Sequence, residues 1–233
     1  MSRMSGPSTP SGAEADAAPR RTGRGRPPRL DQARTIETAL ALLNEVGLEA
    51  LTMRRLADAM GVQAGALYRY FATKDDLLTA MAERMVADVS AAPAGDPDWS
   101  ERLSGLARSL RQALLAHRDG ARVFAGTHST GPNTLGFADT GIGILRDAGF
   151  ADEDAARALM AAVNFTVGHT LEEQAALRPG GGGPADPGVL GDAVTAGTYP
   201  HLSATLPALA SLDFTPHFEF GLGLLLGGLR ALR

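Results

Sequence analysis

The chain has 233 residues, 44% of them hydrophobic, 5% aromatic and 21% charged, with no cysteine and a net charge of −4. Disulfide frameworks and thiolate chemistry are excluded, and the apolar content suits a small domain beside a larger one. Charge is divided unevenly: residues 20–75 hold ten basic and six acidic side chains, whereas residues 91–233 hold ten and fifteen. A positive end on a negative body orients a protein on a polyanion.

Few aromatics, with Ala, Leu, Arg and Glu dominating the periodic segments, predict an all-α chain. No apolar secretory segment stands near the N-terminus, so a cytoplasmic protein is expected. Residues 1–29 read as a disordered basic arm. Within it Arg20 to Arg29 hold five arginines and no acid in a Gly/Pro frame. Arg24-Gly25-Arg26-Pro27 resembles an AT-hook core, whose arginines lie in the narrow minor groove of A·T-rich DNA; a plain basic tail attracting phosphate is the alternative. Either reading puts Arg24 and Arg26 on DNA.

Residues 30–76 read as a three-helix DNA-binding domain with a helix-turn-helix. Met53, Leu56, Ala57 and Met60 recur at the spacing of one buried helix face, with Thr52 as N-cap. Gly61 ends that helix at a sharp turn into which Val62 drops. In the helix that follows, Leu67 and Phe71 face inward while Gly65 and Arg69 point the opposite way. Ala64, Gly65 and Ala66 let its backbone approach a groove floor. Tyr68 and Tyr70 reach phosphates, and Arg69 offers a fork to guanine O6 and N7. Arg54 and Lys74 complete the expected DNA-binding set. Thr73, with Asp76 three residues on, approximates a capping box for the next helix.

Residues 77–233 are assigned to a ligand-binding and dimerisation domain. Leu77, Leu78, Met81, Met85 and Val89 form the inward stripe of a long linking helix, and Ala91 to Asp98 mark a break. Helices are predicted at about 99–117, 120–126, 134–148 and 152–177, the last capped by Asp152. Arg178 to Gly188 should be a loop, with a short helix near 201–210. The final segment, from Phe214 with Thr215 as cap and Pro216 first in the helix, shows Phe218, Leu222, Leu225, Leu226 and Leu229 on one side. Its glycines at 221, 223, 227 and 228 each cost about 1 kcal/mol of helix propensity, which close helix approach must offset. The apolar run from Phe220 to Leu229 is too short to span a membrane, which takes about 20 residues.

The strings "ALALLNEVGLEALTMRRLADAMGV" and "ALYRYFATKDDLL" resemble the DNA-binding domain of the tetracycline-repressor (TetR) family of dimeric bacterial regulators. Trp99, "ALLAHRDGARV", "AGF", "NFTVGHTLEEQ" and "FEFGLGLLLGGL" extend the resemblance to the tetracycline repressors' own ligand-binding and dimerisation domain. It implies a homodimeric repressor, released from a palindromic operator by a small molecule, with the last helix and the helix near 152–177 forming a four-helix interface. Phe218, Leu222, Leu225, Leu226 and Leu229 are the expected interface residues.

The same resemblance places Phe124 where a histidine holds the drug's magnesium ion, Leu106 and Leu110 where an asparagine and a phenylalanine grip the drug, and Asp88 where another pocket histidine stands. Glu172 matches a glutamate supplied by the second subunit. Thr127, His128 and Asn164 complete the expected ligand-binding set. Phenylalanine has no lone pair for a metal, so a more apolar effector than magnesium-tetracycline is implied. The five histidines lack zinc-site spacing, and no metal or cofactor is expected. No nucleophile–base motif appears, and the Gly-rich stretch at 180–183 lacks a phosphate loop's lysine, so an enzyme is not expected. An architectural AT-hook-like protein without effector control would account for the arm but not for the acidic helical domain.

Overall fold

In the computed structural model, residues 31–89, 98–177 and 187–232 are described, and among them eleven helices and no strands are found. The basic arm, with Arg24 and Arg26, lies outside these residues, as do most of the expected interdomain break and most of the expected loop at 178–188.

Three helices make the N-terminal head: α1 (Gln32–Val46), α2 (Met53–Met60) and α3 (Ala64–Leu67). Their apolar stripes converge on Leu40, Leu43, Leu56, Leu67 and Phe71, all buried. The Thr52 hydroxyl accepts the Arg55 N–H at 3.2 Å, as an N-cap should. Gly61 adopts the left-handed conformation at φ 66°, and the Val62 N–H returns to the Ala57 carbonyl at 3.0 Å. A side chain at position 61 would be strained in that conformation, so glycine is what lets the chain reverse there. The second reading helix is shorter than its pattern suggested. It ends at Leu67, and Tyr68 to Tyr70 continue as a turn that still delivers Phe71 to the core.

Helix α4 (Lys74–Met85) starts in the capping box: the Thr73 hydroxyl accepts from Asp76 N, and the Asp76 carboxylate accepts from Thr73 N. A domain boundary after residue 76 falls inside this helix. Nor is α4 the long linker expected: Val86 to Val89 form a turn, Val89 is buried there, and Leu78 is only partly covered.

The C-terminal body comprises α5 (Trp99–Leu115), α6 (Gly120–Ala125), α7 (Pro132–Asp147), α8 (Asp152–Ala176) and α11 (Phe214–Ala231), with α9 (Pro187–Ala196) and α10 (Pro200–Leu209) attached. Helix α8 is its spine, packed on α5, α6, α7 and α11. Two caps differ from expectation by short shifts. Ala151 stands at the N-cap of α8, with Asp152 in the first turn where its charge suits the helix dipole. Asp213 caps α11 by accepting the Thr215 N–H, because its carboxylate reaches a backbone amide two residues on. Helix α9 begins inside the stretch expected to be a loop; α10 buries no residue and α9 only Val194, so neither left a stripe to read.

The apolar stripe of α11 requires a correction. Phe218 and Leu222 are 0% and 1% exposed within one protomer, Leu226 and Leu229 are also buried, and Leu225 is partly covered. They form this subunit's own core rather than a face left open for another. Phe165 of α8 stacks on Phe218 at 5.5 Å, and a Cβ on Gly221 would come within 2.5 Å of the Phe165 ring, so that glycine permits the approach. The uncovered side of α11 carries Phe220, Gly223, Leu224, Gly227 and Gly228 instead, with Phe220 70% and Leu224 63% exposed. A large-to-small change at Phe218 should therefore destabilise the protomer itself. Phe218→Ala is expected to cost about 3–5 kcal/mol in urea unfolding at fixed protein concentration, from lost transfer energy and the cavity left behind.

Candidate nucleic-acid interface and effector cavity

On the head, Thr52, Arg54, Gly65, Tyr68, Arg69 and Tyr70 are exposed, while Ala64 and Ala66 are half-buried at the start of α3. Tyr68 is 52% exposed although its neighbour Leu67 is fully buried, so the aromatic ring is directed outward from a packed helix. Gln63 stands exposed at the N-cap of α3 with no side-chain capping bond, and an amide there suits an adenine edge. It is absent from the expected DNA-binding residues, although a polar residue just after the glycine turn is a sequence signal for such a position. Lys74 is less free than its sequence position suggested. Its Nζ donates to the Leu48 carbonyl at 3.3 Å, tying α4 to the turn after α1.

The effector residues do not come together as one pocket. Leu106 and Leu110 wall an apolar cavity of about 10 Å³ with Leu103, Phe137, Leu159 and Thr166, between α5, α7 and α8. That space is far below the roughly 300–1,000 Å³ that small-molecule sites occupy, so this form of the body is closed to an effector. Phe124 packs half-buried on the edge of the core, and the Thr127 hydroxyl donates to the Phe124 carbonyl at 3.0 Å. His128 is exposed beyond them. Asp88 is 94% exposed, 3.6 Å from Arg84, at a different cavity. Asn164 and Glu172 lie on the open side of α8, away from Leu106 and Leu110 of the same protomer, because side chains at positions 164, 168 and 172 share the face turned from the core.

The neighbouring residues of the "LEEQ" string are structural. Glu173 takes a two-point bridge from Arg111, both bonds 2.8 Å, and the Arg111 guanidinium lies 5.0 Å from the Phe218 ring centre. Gln174 accepts from Ala121 N and donates to the Leu114 and His117 carbonyls, fastening the bend between α5 and α6. His169 sits among Phe165, Phe214 and Phe218, and burial, partly opposed by Glu173, lowers its pKa.

Two polar ties join head to body. At one, the Asp119 carboxylate accepts the Leu48 N–H at 3.0 Å, while Arg118 bonds Asn44 and the Glu45 carbonyl at the end of α1. At the other, Glu83 of α4 reaches the N-terminus of α7. Its carboxylate accepts from the Ser129 hydroxyl at 2.9 Å, the Thr134 N–H at 3.1 Å, the Thr134 hydroxyl at 2.6 Å and the Asn133 N–H. The α7 N-cap is Gly131, which has no side chain to offer, so Glu83 supplies the missing cap from another helix.

Comparison with known proteins matches both halves. Residues 36–81 match the model described as bacterial regulatory proteins, tetR family, and residues 92–233 the one described as tetracyclin repressor-like, C-terminal domain. The tetracycline repressor protein class A from transposon 1721 of Escherichia coli is 45% identical over 201 residues, 85% of this chain and 89% of its own length. A crystal structure of a possible TetR family transcriptional regulator from Streptomyces coelicolor A3(2) is 73% identical, with a TM-score of 0.83 over 87% of this chain and all of that one. The Streptomyces coelicolor TetR family protein ActR, crystallised in complex with actinorhodin, is 33% identical with a TM-score of 0.75, covering 87% of this chain and 97% of its own.

Burial pushes the Glu83 carboxyl upward, but the bonds from Thr134, Asn133 and Ser129 outweigh it and hold the pKa below the ordinary carboxylate value. A lowered carboxylate pKa contributes stability that is fully present above the unfolded value, about 4.3, and is lost as pH falls through the folded one. Glu83→Gln should therefore lower stability at neutral pH by about 1–3 kcal/mol. Chemical unfolding of both proteins across pH should show that gap closing in acid; a gap independent of pH would show that the charge of the cap contributes nothing.

Proposed function

The chain belongs to the tetracycline-repressor (TetR) family of bacterial regulatory proteins, and from that premise we propose that it is a dimeric repressor released from a palindromic operator by a small, largely apolar effector. Regulators of this family bind operator DNA and small molecules, act as dimers and are not enzymes. The architectural AT-hook alternative has no support. Acting on DNA, the protein works in the cytoplasm; among the described residues no helix is long and apolar enough to cross a membrane.

The observation that carries the DNA reading is the Gly61 turn, which sets α3 against α2 with Leu67 and Phe71 anchored inward and Gln63, Tyr68, Arg69 and Tyr70 left outward. Arg69 is assigned to a base edge, Tyr68 and Tyr70 to phosphates, and Arg54 and Thr52 to the backbone beside them. Arg69→Ala should weaken the operator complex by about 1–3 kcal/mol and relax preference at one position of each half-site, whereas Tyr68→Phe should weaken all duplexes alike. Binding to the DNA flanking its own gene, compared with random duplex, measures both. Equal losses on the two duplexes for Arg69→Ala would remove it from base reading.

Apolar walls at Leu106, Leu110 and Phe137 support an effector that enters between α5, α7 and α8 by opening a closed site. Relatives are named for tetracycline and one is crystallised with actinorhodin, so the family's ligands are not of one chemistry. Phe124 stands where the resemblance puts a magnesium-binding histidine, which favours a ligand held without that ion. Operator-binding titrations with apolar aromatic compounds and with magnesium-tetracycline should show release by the former; efficient release by the latter alone would overturn this reading of the effector.

For the dimer, the uncovered faces of α11 and α8 are assigned to the partner: Phe220, Gly223, Leu224 and Gly227 on one, Met160, Asn164 and Glu172 on the other. Gly223 and Gly227 let a second helix approach closely, which is the gain that offsets their poor helix propensity. Leu224→Asp would place a charge in each copy of the interface without touching the protomer core, and should yield folded monomers on a sizing column. An unchanged dimer would exclude this face.

A further inference from the structure

A second cavity, of about 380 Å³, opens where the head meets the body, between α1, the end of α4 and α5. It lies on another flank of α5 from the Leu106 and Leu110 cavity, lined there by Ser109, Gln112, Ala113 and Ala116. Its volume falls in the range of small-molecule sites, about 300–1,000 Å³, and domain junctions are where such sites concentrate.

The lining divides by chemistry. Leu40, Met85, Val89 and Ala113 supply apolar surface from both domains. Around them stand two carboxylates, Glu37 and Asp88, and one guanidinium, Arg84. Arg84 is committed to Glu37 by a 2.7 Å bond and reaches Asp88 only at 3.6 Å, leaving the Asp88 carboxylate 94% exposed at the rim. His117 closes the far end; its Nδ1 is buried without a hydrogen-bond partner, and burial keeps the ring neutral at physiological pH. Among the described residues no other charged side chain lines the cavity, so their lining carries one net negative charge over an apolar floor.

We infer that this interdomain cleft is a second small-molecule site, distinct from the closed apolar cavity, that takes an organic monocation whose ammonium group pairs with Asp88 and whose apolar body lies on Leu40, Met85, Val89 and Ala113. An occupant touches α1 of the head, the end of α4 and α5 of the body at once. Its affinity is therefore linked to the angle between the domains, and any effect it has on DNA affinity is matched by an equal effect of DNA on its own binding. The site stands whether or not the apolar cavity receives the effector.

The test uses the full chain and two fluorescent probes: dansylcadaverine, a primary ammonium on an apolar naphthalene body, and its N-acetyl derivative, which has the same body and no charge. Anisotropy titrations at low salt should give saturable binding of one molecule per protomer, with the cation bound about fivefold more tightly. Added salt should shrink that preference. Asp88→Asn should bring the cation to the level of the neutral probe. Ala113→Trp, which fills the cleft, should abolish binding of both. Gln112→Arg, an exposed change at the rim, should selectively weaken the cation and serves as the check if the tryptophan variant does not fold. Equal affinity for the two probes, or a charge preference that survives both Asp88→Asn and Gln112→Arg, would overturn the assignment.

Discussion

Helix α7 begins at a glycine that cannot cap it, and the carboxylate that does so belongs to Glu83, fifty residues earlier on the helix leaving the DNA-reading head. Four donors from three residues converge on that one side chain. Because orphan amides at a helix N-terminus strongly favour a negative partner, α4 cannot shift relative to α7 without exposing either the amides or the carboxylate to loss of their bonds. The second tie, Asp119 to the Leu48 amide, acts from the other end of the body on the end of α1. Head and body are thus joined by oriented polar contacts at two places, beside an apolar core that runs on from Leu40 and Met85 to Leu114 and Val123. Such a joint has discrete arrangements, which is what a ligand-responsive regulator needs if binding in the body is to alter the spacing of two reading heads.

The closed state of the apolar cavity follows from the same economy of packing. Leu103, Leu106, Leu110 and Leu159 meet across a space far too small for an effector, and a Cβ on Gly141 would come within 2.5 Å of Leu159. An effector can enter only by displacing these side chains or moving α7 against α5 and α8. Helix α7 is also the helix that Glu83 caps. A movement of α7 that opened the cavity would therefore also strain the bonds that tie Glu83 to its N-terminus.

Helix α11 has two faces of different character. Its large residues, Phe218, Leu222, Leu226 and Leu229, fill the protomer, and its small ones leave a shallow outer face between Phe220 and Leu224. Phe218, Leu222, Leu226 and Leu229 recur at the spacing of one helix face, whereas Phe220 and Leu224 point the opposite way, so the inward set is fixed by helical period and not by size. The side left uncovered carries Gly223, Gly227 and Gly228 beside the exposed Phe220 and Leu224.

The elements that depend on local chemistry were legible in the sequence. Thr52, Gly61 and the Thr73–Asp76 box specify helix ends through bonds within a few residues, and the stripes of α2 and α4 are periodic enough to announce their buried faces. The strings from Ala39 to Val62 and Ala66 to Leu78, with those from Trp99 to Gln174 and Phe218 to Leu229, carried the family, and with it the DNA-binding function. The tertiary structure alone decided which apolar face of α11 turns inward, that Leu106 and Leu110 close on each other while Asp88 lines another cleft, and that Glu83 caps a helix fifty residues away. A helical stripe records that a face is buried but not against what, and a capping carboxylate from a distant helix leaves no periodic trace. Those decisions belong to contacts between residues far apart in the chain, where only the packed fold brings donor and acceptor, or one apolar face and another, within reach.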